Sequence, residues 1–177
     1  MIQQFVFSVL LFFGLCLSTV ADELKDNEWI VDYITETSIH TSVNGEVTHG
    51  DRLHVRFVQG QCDVGNLITF VYTYADHPNI LQLEDQSVRS IFMGEEVTVA
   101  VLYTSPFLMG HRATVDVGWM EKESLKQLLG RSNPITMKYL DSDDVKISNY
   151  FDILQNSWSN VNLNAALDKA SKMCEGL

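Results

Sequence analysis

Strict alternation of apolar and polar residues constrains this chain more than any other feature. Leu53, Val55 and Phe57 alternate with His54 and Arg56. Val97, Val99, Val101 and Tyr103 repeat the pattern, and Ala113, Val115, Val117 and Trp119 stand against Arg112, Thr114 and Asp116. Successive side chains of a strand point to opposite faces, so each run reads as a strand with one buried face. Leu67 to Tyr74 is apolar or aromatic on both faces and rich in β-formers, the composition of a central strand. Further strands are expected at Trp29 to Thr35, Ser87 to Met93, Pro134 to Leu140 and Val145 to Ile153. Turn residues separate them at Asn44-Gly45, Gly50-Asp51, Gly60 to Gly65, Asp76-His77-Pro78, Gly94 and Pro106 to Gly110. Many short strands at this spacing predict a mainly β fold, an antiparallel β-sandwich or open barrel.

Two helices interrupt the strands. Glu121 to Leu129 carries Leu125, Leu128 and Leu129 on one face and stops at Gly130. The second starts from Asn160 or Asn162, with Leu163, Ala166, Leu167, Ala170 and Cys174 at three- and four-residue spacing. That stripe turns Cys174 toward the core and packs the helix on the sheet.

The stretch from Met1 to Ala21 holds no Lys, Arg, Asp or Glu, and from Phe5 to Leu17 it is apolar apart from Ser8 and Gly14. Such a run is too short to span a bilayer, which takes about 20 residues, but it matches the core of a secretory signal. Thr19 and Ala21 are small residues at the third and first positions before a cut, although Met1 to Gln4 lacks the usual Lys or Arg. The expected organisation is a signal peptide at 1–21 and a single β-rich domain at 22–177, periplasmic or secreted. An uncleaved anchor and a lipid-modified Cys16 are the alternatives; Leu15 sits where a lipoprotein signal takes a small residue. Removal of the signal leaves two cysteines, Cys62 and Cys174, which in an oxidising compartment have one intramolecular connectivity. Free, metal-bound or intermolecular thiols are the competing fates.

The formal net charge of −11 argues against phosphate backbones and anionic lipid surfaces as partners. It either keeps an exported domain soluble or recognises a cationic partner. Signatures of chemistry are sparse. His49, Asp51 and His54 lie close in sequence, yet His49 falls in a turn and His54 on the polar face of a strand, without metal-ligand spacing. Asp76-His77 reads as a turn. Asp141, Asp143 and Asp144 lack the central glycine of a calcium loop and read as a solvated hairpin. No nucleophile elbow, phosphate-cradling loop or His-Glu-x-x-His helix is present, and no cofactor is implied.

Aromatic and loop residues offer the other kind of site. Trp119 and Trp158 are expected to pack. Phe107, Leu108 and Met109, flanked by Pro106 and Gly110, either tuck into the core or face a partner, with the core favoured. With His111 and Arg112 at the same loop end, these five are the candidate binding residues.

The C-terminal half carries Glu123 to Leu129, a strand at Ile135 to Tyr139, an acidic hairpin, Phe151-Asp152-Ile153, and Asn162 to Leu167 leading to Cys174. In this order it resembles type VI secretion-associated periplasmic accessory proteins and, more distantly, the invasion-associated locus B family, with Leu53 to Cys62 as the matching upstream strand. The glycine usual before the last helix in those families is replaced by Ser157 to Asn160, and no tryptophan follows Cys174. The resemblance implies an exported, non-catalytic role and no active site. The functional expectation is an accessory or binding protein of the bacterial envelope, of immunity or inhibitor type, acting on a protein partner. The rival is an exported hydrolase that uses His49, Asp51, His54 or His111.

Overall fold

The computed structural model describes residues 28–48, 50–74 and 80–177. The proposed signal peptide, His49, Asp76 and His77 lie outside the described residues. Nine antiparallel strands form one sheet: β1 (Ile30–Thr35), β2 (Ser38–Asn44), β3 (Arg52–Val58), β4 (Gln61–Thr73), β5 (Ser87–Phe92), β6 (Glu95–Phe107), β7 (Gly110–Glu121), β8 (Ile135–Leu140) and β9 (Gln155–Trp158). Their order across the sheet is β1-β2-β3-β4-β7-β6-β5-β8-β9. Two helices complete the fold, α1 (Lys122–Leu129) and α2 (Leu163–Glu175).

The sheet curls into a half-barrel around a single core, so the architecture is the mainly β, open-barrel form of the sequence expectation. The curl is visible in bonds between strands, or residues flanking strands, that are distant in the order. Tyr139 of β8 and Thr69 of β4 share a hydroxyl hydrogen bond of 2.7 Å, and the Trp29 indole N–H reaches the Ser159 carbonyl at 2.8 Å. Leu53, Val55 and Phe57 of β3 are buried on the inner face, as alternation requires. Against this face lies α2, which touches β1 to β4 and α1. Its predicted stripe, Leu163, Ala166, Leu167, Ala170 and Cys174, is buried throughout. Gly65 of β4 admits α1 at this point: a Cβ there would stand 2.6 Å from Val55 Cγ1 and 2.7 Å from Leu125 Cδ1. Cys62 and Cys174 form a disulfide with a Cα–Cα distance of 5.5 Å.

Several sequence expectations are corrected. Val145 to Ile153 is no strand; it holds a short 3-10 turn at Ile147–Asn149 and irregular backbone. The turn ends at Gly60, and Cys62 and Gly65 already belong to β4. β2 and β9 were not anticipated. Two bulges have the largest effect on the surface. An extra residue at Leu102 breaks the β6–β7 register between Val101 and Tyr103, and an extra residue at Val117 breaks the β4–β7 register, with Gly118 at φ +133°. Each bulge shifts the alternation by one residue. Tyr103 and Trp119, expected on the buried face, are therefore turned outward and are 45% and 46% exposed.

Candidate functional site

The outer face of β2, β3, β4 and β7 collects cationic and aromatic side chains. His54 stands between Ser42 and Ile68, Arg56 between His40 and Asn66, Arg52 opposite Phe70, and Arg112 opposite Tyr72. Three of the five arginines of a strongly acidic chain thus share one surface. They differ in what holds them. Arg56 lies over the Trp119 ring at 5.5 Å and donates to Asn66 Oδ1 at 3.3 Å. Asn66 in turn donates to Asp116 Oδ1 at 2.6 Å, so this arginine is tied to a carboxylate through one amide. Arg52 donates from Nε to Asn44 Oδ1 at 2.8 Å. Arg112 is sandwiched between Phe70 (4.7 Å) and Phe107 (5.0 Å) and has no hydrogen-bond or ion-pair partner among the described residues. Stacking between two rings fixes the plane of its guanidinium and leaves its donors uncommitted.

His54 is on the outer face as expected, yet it is 95% buried rather than solvated. The Phe70 ring covers it at 4.1 Å and His40 meets it edge-on at 5.8 Å; neither of its nitrogens has a partner among the described residues. Burial, reinforced by His40, Arg52 and Arg112, pushes its pKa down to about 3. Burial and Arg56 lower that of His40 to about 4. Both rings are neutral at pH 7. Because the folded pKa lies below the unfolded value of 6.5, the stability linked to His54 is complete above pH 6.5 and is lost as pH falls toward 3. His54→Leu is therefore expected to move the midpoint of acid unfolding to lower pH, read by circular dichroism across a pH titration. An unchanged midpoint would refute the assignment of His54 as an acid-labile position.

Beside this cluster, Arg52, Phe70, Tyr72, Phe107, Leu108 and Arg112 line a cleft of about 730 Å³ between the β2–β3 loop and the β6–β7 hairpin tip. The Phe107 ring packs edge-on against Tyr72 at 5.6 Å, and Tyr72 against Tyr74 at 4.7 Å. Leu108, at φ +52°, and Met109 form the tip and are 84% and 85% exposed. The expectation that this apolar tip favours the core is thus corrected. Only Phe107 is partly covered, by Tyr72 and Arg112 on the outer face, because a two-residue turn leaves the next side chains no surface to cover them.

Of the five candidate binding residues, Phe107, Leu108 and Arg112 line the cleft, and Met109 stands exposed at the hairpin tip next to Leu108. His111 alternates to the other face, opposite Thr73 and Pro106. Asp51 is a buried structural acid. It accepts the Tyr72 backbone N–H at 2.7 Å and the Asn156 side-chain amide at 2.7 Å, pinning the β2–β3 loop to β4 and β9. No hydrogen bond or ion pair joins Asp51, His54 and His111. Asp141 accepts the Ser148 N–H and hydroxyl at 2.9 and 2.8 Å, closing the acidic turn on itself. Among the described residues no cluster of three or more His, Cys, Asp or Glu is arranged to hold a metal, and no helix is long and apolar enough to cross a membrane. Sequence reasoning missed Phe70 and Tyr72 and grouped Arg52 with His49, Asp51 and His54 instead of with the hairpin tip, because the grouping depends on strand register.

The fold and site together define a half-barrel domain with a stacked-arginine cleft on its outer face. The chain matches no family model, no curated protein and no solved structure.

Proposed function

We propose that this chain is an exported, non-catalytic accessory protein of the bacterial envelope that works by binding another protein, in the manner of an immunity or inhibitor protein. The observation that carries the reading is the β6–β7 tip, where Leu108 and Met109 stand almost fully in solvent beside a cleft. Two large apolar side chains at a hairpin end are a contact surface of the type that anchors protein interfaces. The disulfide is compatible with an oxidising compartment. The charge of the cleft favours a partner that presents an anionic group there, in place of the cationic partner that the overall acidity would suggest.

The test is affinity capture from envelope extract, with the disulfide-bonded protein as bait and the Leu108→Glu/Met109→Glu double variant as control. One specific partner is expected with the parent, retained at high salt, and roughly tenfold less with the variant. Equal capture by both baits would remove the tip from the contact surface. Absence of any specific partner would sink the reading.

A further inference from the structure

We propose that the cleft is a binding site for a small amphipathic organic carboxylate, its head group held by Arg112 and Arg52 and its apolar body lying along Phe70, Phe107 and Leu108. This goes beyond the protein-partner reading and stands or falls independently of it.

Shape comes first. A concave volume of about 730 Å³ falls within the range of pockets that enclose small ligands, roughly 300 to 1,000 Å³, and its walls are apolar except at a few points. The charged ones are two guanidinium groups, and Thr48, Tyr72 and Tyr74 supply the other polar side chains of the lining. Arg112 is held between two aromatic rings and lacks a carboxylate partner among the described residues. In a chain with net charge −11, acidic side chains are plentiful, yet none is within ion-pairing distance of either cleft arginine among the described residues. The lysines beside the helices, by contrast, are neutralised: Lys126 reaches Glu123 at 2.9 Å and Asp168 at 2.6 Å. Planar arginine donors match a carboxylate in bidentate geometry, and a site flanked by aromatic faces strengthens that bond by limiting solvent.

Arg52 and Arg112 set up a positive field there, and after burial itself their charges are among the causes that lower the pKa of neighbouring His54. A cation would meet that field unfavourably. A neutral apolar ligand would leave the arginines to be desolvated without compensation. A carboxylate with an apolar tail satisfies both halves of the cleft. The two rings that stack on Arg112 also form its apolar walls, so one arrangement fixes the head group and receives the tail.

The test is calorimetric titration of the purified, disulfide-bonded protein with dodecanoate below its micellar concentration. Dodecanol and dodecyltrimethylammonium serve as the neutral and cationic counterparts. The expected result is saturable one-to-one binding of dodecanoate, weakened by added salt, with dodecanol bound roughly tenfold more weakly and the cation not bound. Arg112→Ala and Arg52→Ala are each expected to reduce dodecanoate affinity by about tenfold or more, with Arg112→Lys intermediate because it keeps charge and loses the planar fork. Thermal melts identify any variant that fails to fold, and the comparison of the three ligands on the parent protein decides the matter in that event. Dodecanoate binding no tighter than dodecanol, or affinity unchanged in a folded arginine variant, would overturn the proposal. Dodecanoate binding without any envelope partner would uphold it while removing the protein-partner reading.

Discussion

Replacing Cys62 with serine and Cys174 with alanine is expected to lower the unfolding free energy by about 4 kcal/mol. The bridge joins residues 112 apart in sequence. In the chain-entropy description, a closed loop of that size stabilises by about 4 to 5 kcal/mol, and removal of native bridges from secreted domains costs about 2 to 5 kcal/mol. The location adds to the effect. Cys174 is buried near the end of α2, and that helix covers the inner face of β1 to β4. Urea unfolding with and without reductant measures the change. Hydrogen exchange in α2 should also accelerate more than exchange in β7. If the midpoint of the double variant matched that of the oxidised parent, the bridge would be incidental to stability.

Asp51→Ala is expected to cost roughly 2 to 4 kcal/mol at pH 7, since it strands the Tyr72 N–H and the Asn156 amide in a buried setting, at about 1 to 3 kcal/mol each. Part of that loss is offset, because burial already raises the Asp51 pKa to about 6. The folded state holds the proton more tightly than the unfolded chain, whose value is 3.8. The Asp51 contribution is therefore fully present below pH 3.8 and is lost as pH rises through 6, a change of about 3 kcal/mol. His54 and His40 act in the opposite sense over an overlapping window, losing stability as pH falls below 6.5. The difference between parent and Asp51→Asn isolates the acid: Asp51→Asn should lack the descending component between pH 4 and 6. Parallel stability curves for the two proteins from pH 4 to 7 would contradict the assignment.

These outcomes depend on features that the sequence reveals unequally. The Cys62–Cys174 pair was legible because counting and helical spacing suffice. Cys174 falls on the same stripe as Leu163 and Leu167, and only one partner was left for it. The inner face of β3, and that of β7 as far as its bulge, were legible for the same local reason. β2 escaped notice although Ile39 and Val43 alternate correctly, because Ser38, His40, Ser42 and Asn44 between them have the composition of a loop. Val145 to Ile153 contains β-formers but no pairing partner, and it spends them on a turn that buries Ile147 and Phe151.

The site was only half legible. Phe107, Leu108 and Arg112 are neighbours along the chain, so a hairpin end announced them. Phe70 and Tyr72 were read as part of a strand buried on both faces, and Arg52 only as a neighbour of His49, Asp51 and His54 in sequence. Their meeting is a matter of register between β3, β4 and β7, which no local pattern encodes. Asp51 shows the reverse difficulty. Its place among His49, Arg52 and His54 suggested proton chemistry, while its actual partners lie 21 and 105 residues away.

The bulges at Leu102 and Val117 make the two surfaces of this sheet a question of arithmetic. A substitution in β6 or β7 exchanges one side chain and leaves every other where it was. Deletion of Leu102 alone would remove the bulge and leave Val101 opposite Val115 and Tyr103 opposite Thr114, so that Tyr103 and Phe107 would stay outward and Thr104 inward. Loss of a paired residue would instead exchange inside for outside over the stretch beyond it. Among descendants of such a chain, the outer face is free to drift one residue at a time and a bulge residue can be lost without moving either face, but gain or loss of a paired residue in these strands would disturb cleft and core together.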